Sequence, residues 1–173
     1  MTRTTPASPV PSPVGEDMKL AFRHHPAGVA IITATTPEGP VGLTASSVAS
    51  VAVDPAAIVF SVTRATGSAG AILGADGFVV HLVDEEHAAL SQSFAVSGSE
   101  RFTPEQGWDT LPTGEPHLPT ARAALRCQTI QTVPVGSSTV VIAEVLEVIF
   151  GRTGRPLVYV DRAFHTLPYY ENR

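Results

Sequence analysis

A chain of 173 residues, 43% hydrophobic and 16% charged, has the length of one domain with a buried core, and its formal charge of −5 offers nothing to neutralise a nucleic-acid backbone. One cysteine, Cys127, excludes an internal disulfide and a cysteine-rich zinc site. No apolar run reaches the ~20 residues of a membrane helix, and the N-terminus lacks the basic-then-apolar order of a signal peptide, so the expectation is a cytoplasmic protein without membrane or nucleic-acid partners.

The opening segment, residues 1–15, spaces Pro6, Pro9, Pro11 and Pro13 among Ser, Thr and Ala, and is expected to be a disordered arm. Folded structure, over 16–170, is expected to begin with "EDMKLAFRHHP". There Met18, Ala21, Phe22 and His25 keep helical spacing, Glu16 and Asp17 suit a first turn, and Pro26 ends the helix. "GVAIITATT" and "VGLTASSVASVAV" read as two β-prone runs joined at Pro37–Pro40, and "AIVFSVT" (57–63) as a third strand. "ATGSAGAILG" (65–74) reads as a short helix, "GFVVHLV" (77–83) as a strand, and "EEHAALSQSFA" (85–95) as a helix with Leu90 and Phe94 on one face. Residues 97–119, rich in Gly, Pro and Thr around Trp108, read as a long surface excursion of the kind that serves function or packs on a partner. "AALRCQTIQTVPV" (123–135) and "STVVIAEVLEVIFG" (138–151) form a long strand pair around a tight turn. "RPLVYVDRAFHTL" supplies one or two terminal strands. Closely spaced strands with turns too short for crossovers imply an antiparallel β-barrel with accessory helices.

The stretch "GLTASSVASVAVDP" carries Thr44, Ser46, Ser47 and Ser50 where a core strand would carry bulk. Small residues on both faces admit a flat group close to the backbone, with hydroxyls to hold its rim, and a flavin ring has that shape. A tight barrel interior, where Ser and Ala merely avoid crowding, accounts for the same residues. Downstream, Arg64, Thr66 and Ser68 cluster where the helix at roughly 66–73 begins, with Gly67 allowing close approach. Free amides, hydroxyls and an arginine suit a phosphate, although simple capping by Thr66 or Ser68 explains them equally. A hydroxyl-lined strand followed by such a helix start is what a mononucleotide with a flat ring requires.

These residues resemble a known family. "P-x-G-V-A-I-I-T", "G-x-T-A-S-S", "S-V-x-x-D-P", Arg101-Phe102 and the terminal "VYVDRAF" are similar to landmarks of the flavin reductase-like, FMN-binding split-barrel proteins, over about residues 18–168. The nearest likeness is to short-chain NAD(P)H:flavin reductases that feed two-component monooxygenases. The resemblance implies a six-stranded split barrel, homodimeric, with FMN or FAD near the subunit interface and NADH or NADPH as hydride donor. It places Thr44, Ala45, Ser46 and Ser47 along the isoalloxazine and ribityl chain, and Ser61, Val62, Thr63 and Arg64 in the same pocket. Ser68 would meet the phosphate, with Arg101 and Phe102 near it. It also implies a flavin-dependent monooxygenase as recipient of the reduced flavin.

One departure bears on the donor. Reductases of this family carry Gly-Asp-His in the turn between the two long strands, and that His is associated with nicotinamide; here the turn reads Gly136-Ser137-Ser138. Ser138 would take the His position, and His165 or the N-terminal arm becomes the candidate to replace its role. The alternatives are a flavin carrier without turnover, or a split-barrel oxidase with bound FMN whose pocket the 97–119 segment shapes. Of the other histidines, His24 and His25 diverge on a helix, His81 in an apolar strand suits a satisfied core position, and His87 and His117 are expected in solvent. Asp54-Pro55 suits a strand-ending turn, Glu85 and Glu86 suit a helix start, and no metal constellation is present.

Overall fold

The computed structural model describes residues 12–168. Helix α1 (Pro13–Arg23) starts earlier than the acidic pair suggests, because Ser12 caps it: its Oγ accepts the Gly15 amide at 3.1 Å, and Pro13 presets the first turn. Residues 1–11 of the expected arm lie outside the described residues, as do 169–170 at the far boundary.

The strands are β1 (Ala27–Gly28), β2 (Ala30–Thr36), β3 (Gly39–Ala45), β4 (Ala49–Val53), β5 (Ala56–Thr63), β6 (Phe78–Leu82), β7 (Asp109–Thr110), β8 (Pro116–His117), β9 (Ala123–Val135), β10 (Ser138–Phe150), β11 (Leu157–Val160) and β12 (Ala163–Thr166). Helix α2 (Gly67–Leu73) follows β5, and α3 (Ala88–Ala95) follows β6 through a 3-10 turn at Glu85–His87. The principal sheet is antiparallel throughout, in the order β3-β2-β6-β9-β10-β5-β4. It has seven strands rather than the expected six, because the run "VGLTASSVASVAV" breaks at residues 46–48 into β3 and β4.

That break dictates the architecture. β3 and β4 are the two edges of the sheet, and six inter-strand gaps would hold them about 29 Å apart if it were flat. The chain from Ala45 to Ala49 reaches at most about 14 Å. The sheet must therefore curl until its unpaired edges approach each other, which makes a split barrel.

Ile32, Phe60, Phe78, Val80, Cys127 and Val141 fill the barrel, with Phe60 and Phe78 edge-to-face at 5.5 Å. A second cluster outside it joins Val29, Ile31, Val83, Phe94 and Leu157 to Phe102, Trp108 and Phe164. Trp108 shows that the 97–119 segment is not a free excursion. Its ring packs on Phe94 and on His81, Leu111 and Leu118 are buried, and Thr33 and Thr35 of β2 donate to Pro116 O and Gly114 O, each at 2.7 Å. The segment covers its own barrel.

His81 is a satisfied core histidine. Its Nδ1 lies 3.0 Å from Ile31 O and its Nε2 accepts the Leu118 amide at 3.1 Å, so the ring is neutral with the proton on Nδ1. Burial pushes its pKa down from 6.5 to about 3, against the pull of the Ile31 carbonyl. The unfolded chain binds a proton at this ring near 6.5 and the folded chain does not until about 3. The stability His81 contributes is complete above that window and is lost as pH falls through it, by up to about 1.4 kcal/mol per pH unit. Urea unfolding of the wild type and of His81→Gln across the window tests this, with the variant expected to lose that part of the slope.

Candidate functional site

The site is built around the corner at residues 46–48. Ser47 closes the barrel there: its Oγ donates to Ser61 O at 3.1 Å and accepts the Ser61 amide at 3.0 Å, as a backbone partner would. Thr44 Oγ1, one turn of the pleat earlier, donates to Ser91 O of α3 at 2.6 Å. Two of the four hydroxyls in the run are thus used by the protein itself. Ser47→Ala leaves both Ser61 groups without that partner and is expected to cost about 1–2 kcal/mol, read from a shifted denaturation midpoint at unchanged m-value.

Ser46 is different. It lines a cavity of about 790 Å³ between α1, the corner and the β11–β12 hairpin, together with Arg23, His25, Gly28, Tyr159 and Arg162. It also lines a smaller adjoining cavity of about 220 Å³ with Val29, Thr44, Gln92, Tyr159 and Phe164. Tyr159 is common to both, and its ring meets Phe164 edge-on at 5.3 Å. The amides of residues 46–48 lie outside the strand ladders, so they are not committed to the sheet. An aromatic wall, a hydroxyl and unladdered amides at one edge fit a flat heteroaromatic ring with polar rim atoms.

Going back along β3, Gly42 lies about 13 Å from Ser46. At that end Arg101 gathers three elements. Its Nε donates to Ser93 O (3.3 Å), Nη1 to Gly42 O (2.8 Å) and to Ser68 Oγ (3.0 Å), and Nη2 to Val96 O (2.8 Å). Arg101 therefore reaches Ser68 and lines neither cavity. Because Ser68 Oγ accepts from a guanidinium, its own O–H is left to donate outward, as an anion requires. Thr66 is the N-cap of α2 but makes no side-chain capping bond, so capping does not account for it.

The remaining expected residues fall elsewhere. Ala45 and Val62 point their side chains into the core and can offer only backbone. Ser61 has its amide and carbonyl taken by Ser47. Thr63 Oγ1 sits 3.3 Å from Ser138 Oγ, and the Arg64 amide, at φ 58°, donates to Ser137 O at 2.9 Å. The 136–138 turn thus braces the Thr63–Arg64 loop and lines neither cavity. Phe102, at φ 59°, belongs to the outer core cluster with Phe94 and Trp108. His165 pairs with Val158 in the terminal hairpin and lines neither cavity; strand alternation turns Phe164 inward in its place.

His87, expected in solvent, is 5% exposed. Its Nδ1 is 2.6 Å from Asp84 Oδ1 and its Nε2 3.0 Å from Thr120 Oγ1, while Asp84 also accepts the Glu86 amide. The group caps the turn before α3 and ties it to the end of the 97–119 segment. Among the described residues no three His, Cys, Asp or Glu side chains are grouped to hold a metal, and no helix is long and apolar enough to cross a membrane.

Sequence reasoning missed Tyr159, Phe164, Gln92 and Arg162. A usable signal did exist for Arg162. Asp161-Arg162 is the whole loop of a two-residue hairpin, a position that favours Asn-Gly.

Comparison with known proteins shows the family. A family model described as "Flavin reductase like domain" matches residues 22–168. An NADH:FMN oxidoreductase of Rhodococcus qingshengii is 39% identical over 132 residues, covering 76% of this chain and 69% of that protein. The reductase component of the FADH(2)-dependent resorcinol hydroxylase of a Rhizobium species is 33% identical over 158 residues, covering 89% and 88%. Among solved structures, a flavin reductase domain protein from Arthrobacter superposes with a TM-score of 0.82 at 30% identity, over 91% of this chain and 99% of that one.

Proposed function

Because this chain belongs to the flavin reductase-like family, we propose that it transfers a hydride from NAD(P)H to FMN or FAD and supplies the reduced flavin to a partner monooxygenase. The observation that carries the reading is the pair of cavities at the Ser46 corner, with the outward hydroxyl of Ser68 held near the other end of β3, about 13 Å away. Bound flavin supplies the hydride acceptor, and the chain supplies position and polarity. Thr44, Ala45, Ser46 and Ser47 hold the ring edge, Ser46 by its hydroxyl and the corner by its amides. Ser61, Val62, Thr63 and Arg64, expected in the same pocket, line neither cavity; Ser68 faces the phosphate, with Arg101 behind it. Mixing the purified protein with NADH and FMN tests this: loss of the dihydronicotinamide absorbance well above the flavin-free rate supports it, and no loss above background overturns it.

The partner monooxygenase follows from the names of relatives, among them the resorcinol hydroxylase reductase component. The homodimer rests on exposed apolar surface. Helix α1 has no buried residue, and Val14, Met18, Leu20 and Phe22 stand 57–76% exposed on it. The β9–β10 pair adds Ile130, Val133 and Val135 toward its turn and Leu146, Val148 and Phe150 toward its open end. A soluble monomer rarely leaves that much apolar area contiguous with solvent. A second copy of the chain is the occupant proposed, and sedimentation at micromolar concentration reads it directly as dimer or monomer mass.

A further inference from the structure

β11 and β12 are joined by Asp161 and Arg162 alone, and both have left-handed backbone, φ 49° and 63°. Such two-residue loops favour Asn-Gly because side chains beyond the smallest crowd the backbone there. Asp161 has a structural reason for its place. Its amide donates to Arg23 O at 2.7 Å, and its Oδ1 accepts from Arg23 Nε at 2.5 Å, which docks the hairpin tip on the end of α1. Arg162 has none. Among the described residues its guanidinium makes no hydrogen bond or ion pair, yet it lines the large cavity beside Ser46 and Tyr159. The other two lysine or arginine residues lining that cavity are committed, Lys19 to Glu16 at 2.7 Å and Arg23 to Asp161. A strained arginine that finds no partner among the described residues and lines a cavity is placed for an anion outside the protein.

Which anion follows from the length of β3. With the flavin phosphate at Ser68, the Gly42 end is taken, and Arg162 shares the Ser46 end about 13 Å away. A single phosphate cannot serve both ends. The second reactant in this cavity must bring its own. It must also lay a nicotinamide ring against the flavin while its pyrophosphate trails outward, past the hairpin. We propose that Arg162 binds the pyrophosphate of the nicotinamide dinucleotide donor, a role that rests on the reductase reading above. It accounts for donor binding in a chain whose 136–138 turn faces Thr63 and Arg64 instead of the cavity.

The test compares NADH with N-benzyl-dihydronicotinamide, which offers the same hydride without phosphate. In Arg162→Gln, kcat/KM for NADH falls about tenfold, mainly through KM, while kcat/KM for the phosphate-free donor and the Kd for FMN stay unchanged. Arg162→Lys recovers part of the loss. Arg162→Gly raises the midpoint of thermal unfolding while keeping the NADH defect, because glycine relieves the left-handed residue; a structural arginine would behave in the opposite way. Equal loss with both donors overturns the proposal, as does an unchanged KM for NADH. Weakened FMN with unchanged riboflavin reassigns Arg162 to the flavin phosphate and also overturns it. A wild-type protein that oxidises neither donor with flavin present removes the reductase reading itself.

Discussion

Phe94→Ala is expected to lower the unfolding free energy by about 3–5 kcal/mol, the range for emptying a fully buried aromatic site. Phe94 is 1% exposed, and its ring centre lies 5.1 Å from that of Phe102 and 5.3 Å from that of Trp108. It is the keystone between α3, the 97–119 segment and β3. Its contact with β3 explains a glycine: a Cβ on Gly42 would stand 2.6 Å from Phe94 Cε1. Gly42→Ala alone is therefore expected to cost about 1–3 kcal/mol by overpacking. In the Phe94→Ala background most of that cost disappears, because the clashing ring is gone and only the Ile32 carbonyl at 3.1 Å remains close. Urea denaturation of the four proteins reads the coupling as a double-mutant cycle. Additive losses would show that Phe94 is not what excludes a side chain at Gly42.

Arg101→Ala carries the second large effect, about 2–4 kcal/mol, because it strips the partner from the Gly42, Ser93 and Val96 carbonyls together. The guanidinium also stands 5.5 Å above the Phe94 ring, so this loss is expected to be non-additive with Phe94→Ala. A lysine retains the charge but cannot span four acceptors, so Arg101→Lys recovers little. Flavin titration separates the functional share of the effect. With Ser68 no longer oriented, FMN affinity in Arg101→Lys drops about tenfold, whereas riboflavin, which has no phosphate, is held as in the wild type. A parallel loss of both flavins would make Arg101 a scaffold residue with no bearing on the phosphate end.

These variants sit where the residue string was hardest to read. Arg101 was expected close to a phosphate, and it stands one hydrogen bond behind the residue assigned to meet it. Nothing local distinguishes an arginine that binds a ligand from one that spends its donors on the carbonyls of the preceding helix end and of Gly42, 59 residues away. The hydroxyl run shows the same limit. Its composition correctly marks a place where bulk is absent, but Thr44 and Ser47 turn their oxygens to Ser91 and Ser61, partners 47 and 14 residues away in the chain. His87 went unnoticed because Asp84 is local while Thr120, which encloses it, is not.

Periodicity and turn chemistry operate over a few residues, and what they control was present in the amino-acid string alone. The long β9–β10 pair, the buried neutral His81 and the antiparallel character of the sheet all follow from alternation and short connections, whereas the terminal segment read only as one or two strands. The family resemblance carried the rest of the fold class. Curling of the sheet, the break at residues 46–48, the folding of Trp108 back onto Phe94 and the gathering of Ser46, Tyr159 and Arg162 around one cavity belong to the tertiary structure. Each depends on where a distant strand comes to rest, and a strand's own residues encode which face it buries but not which neighbour will cover it.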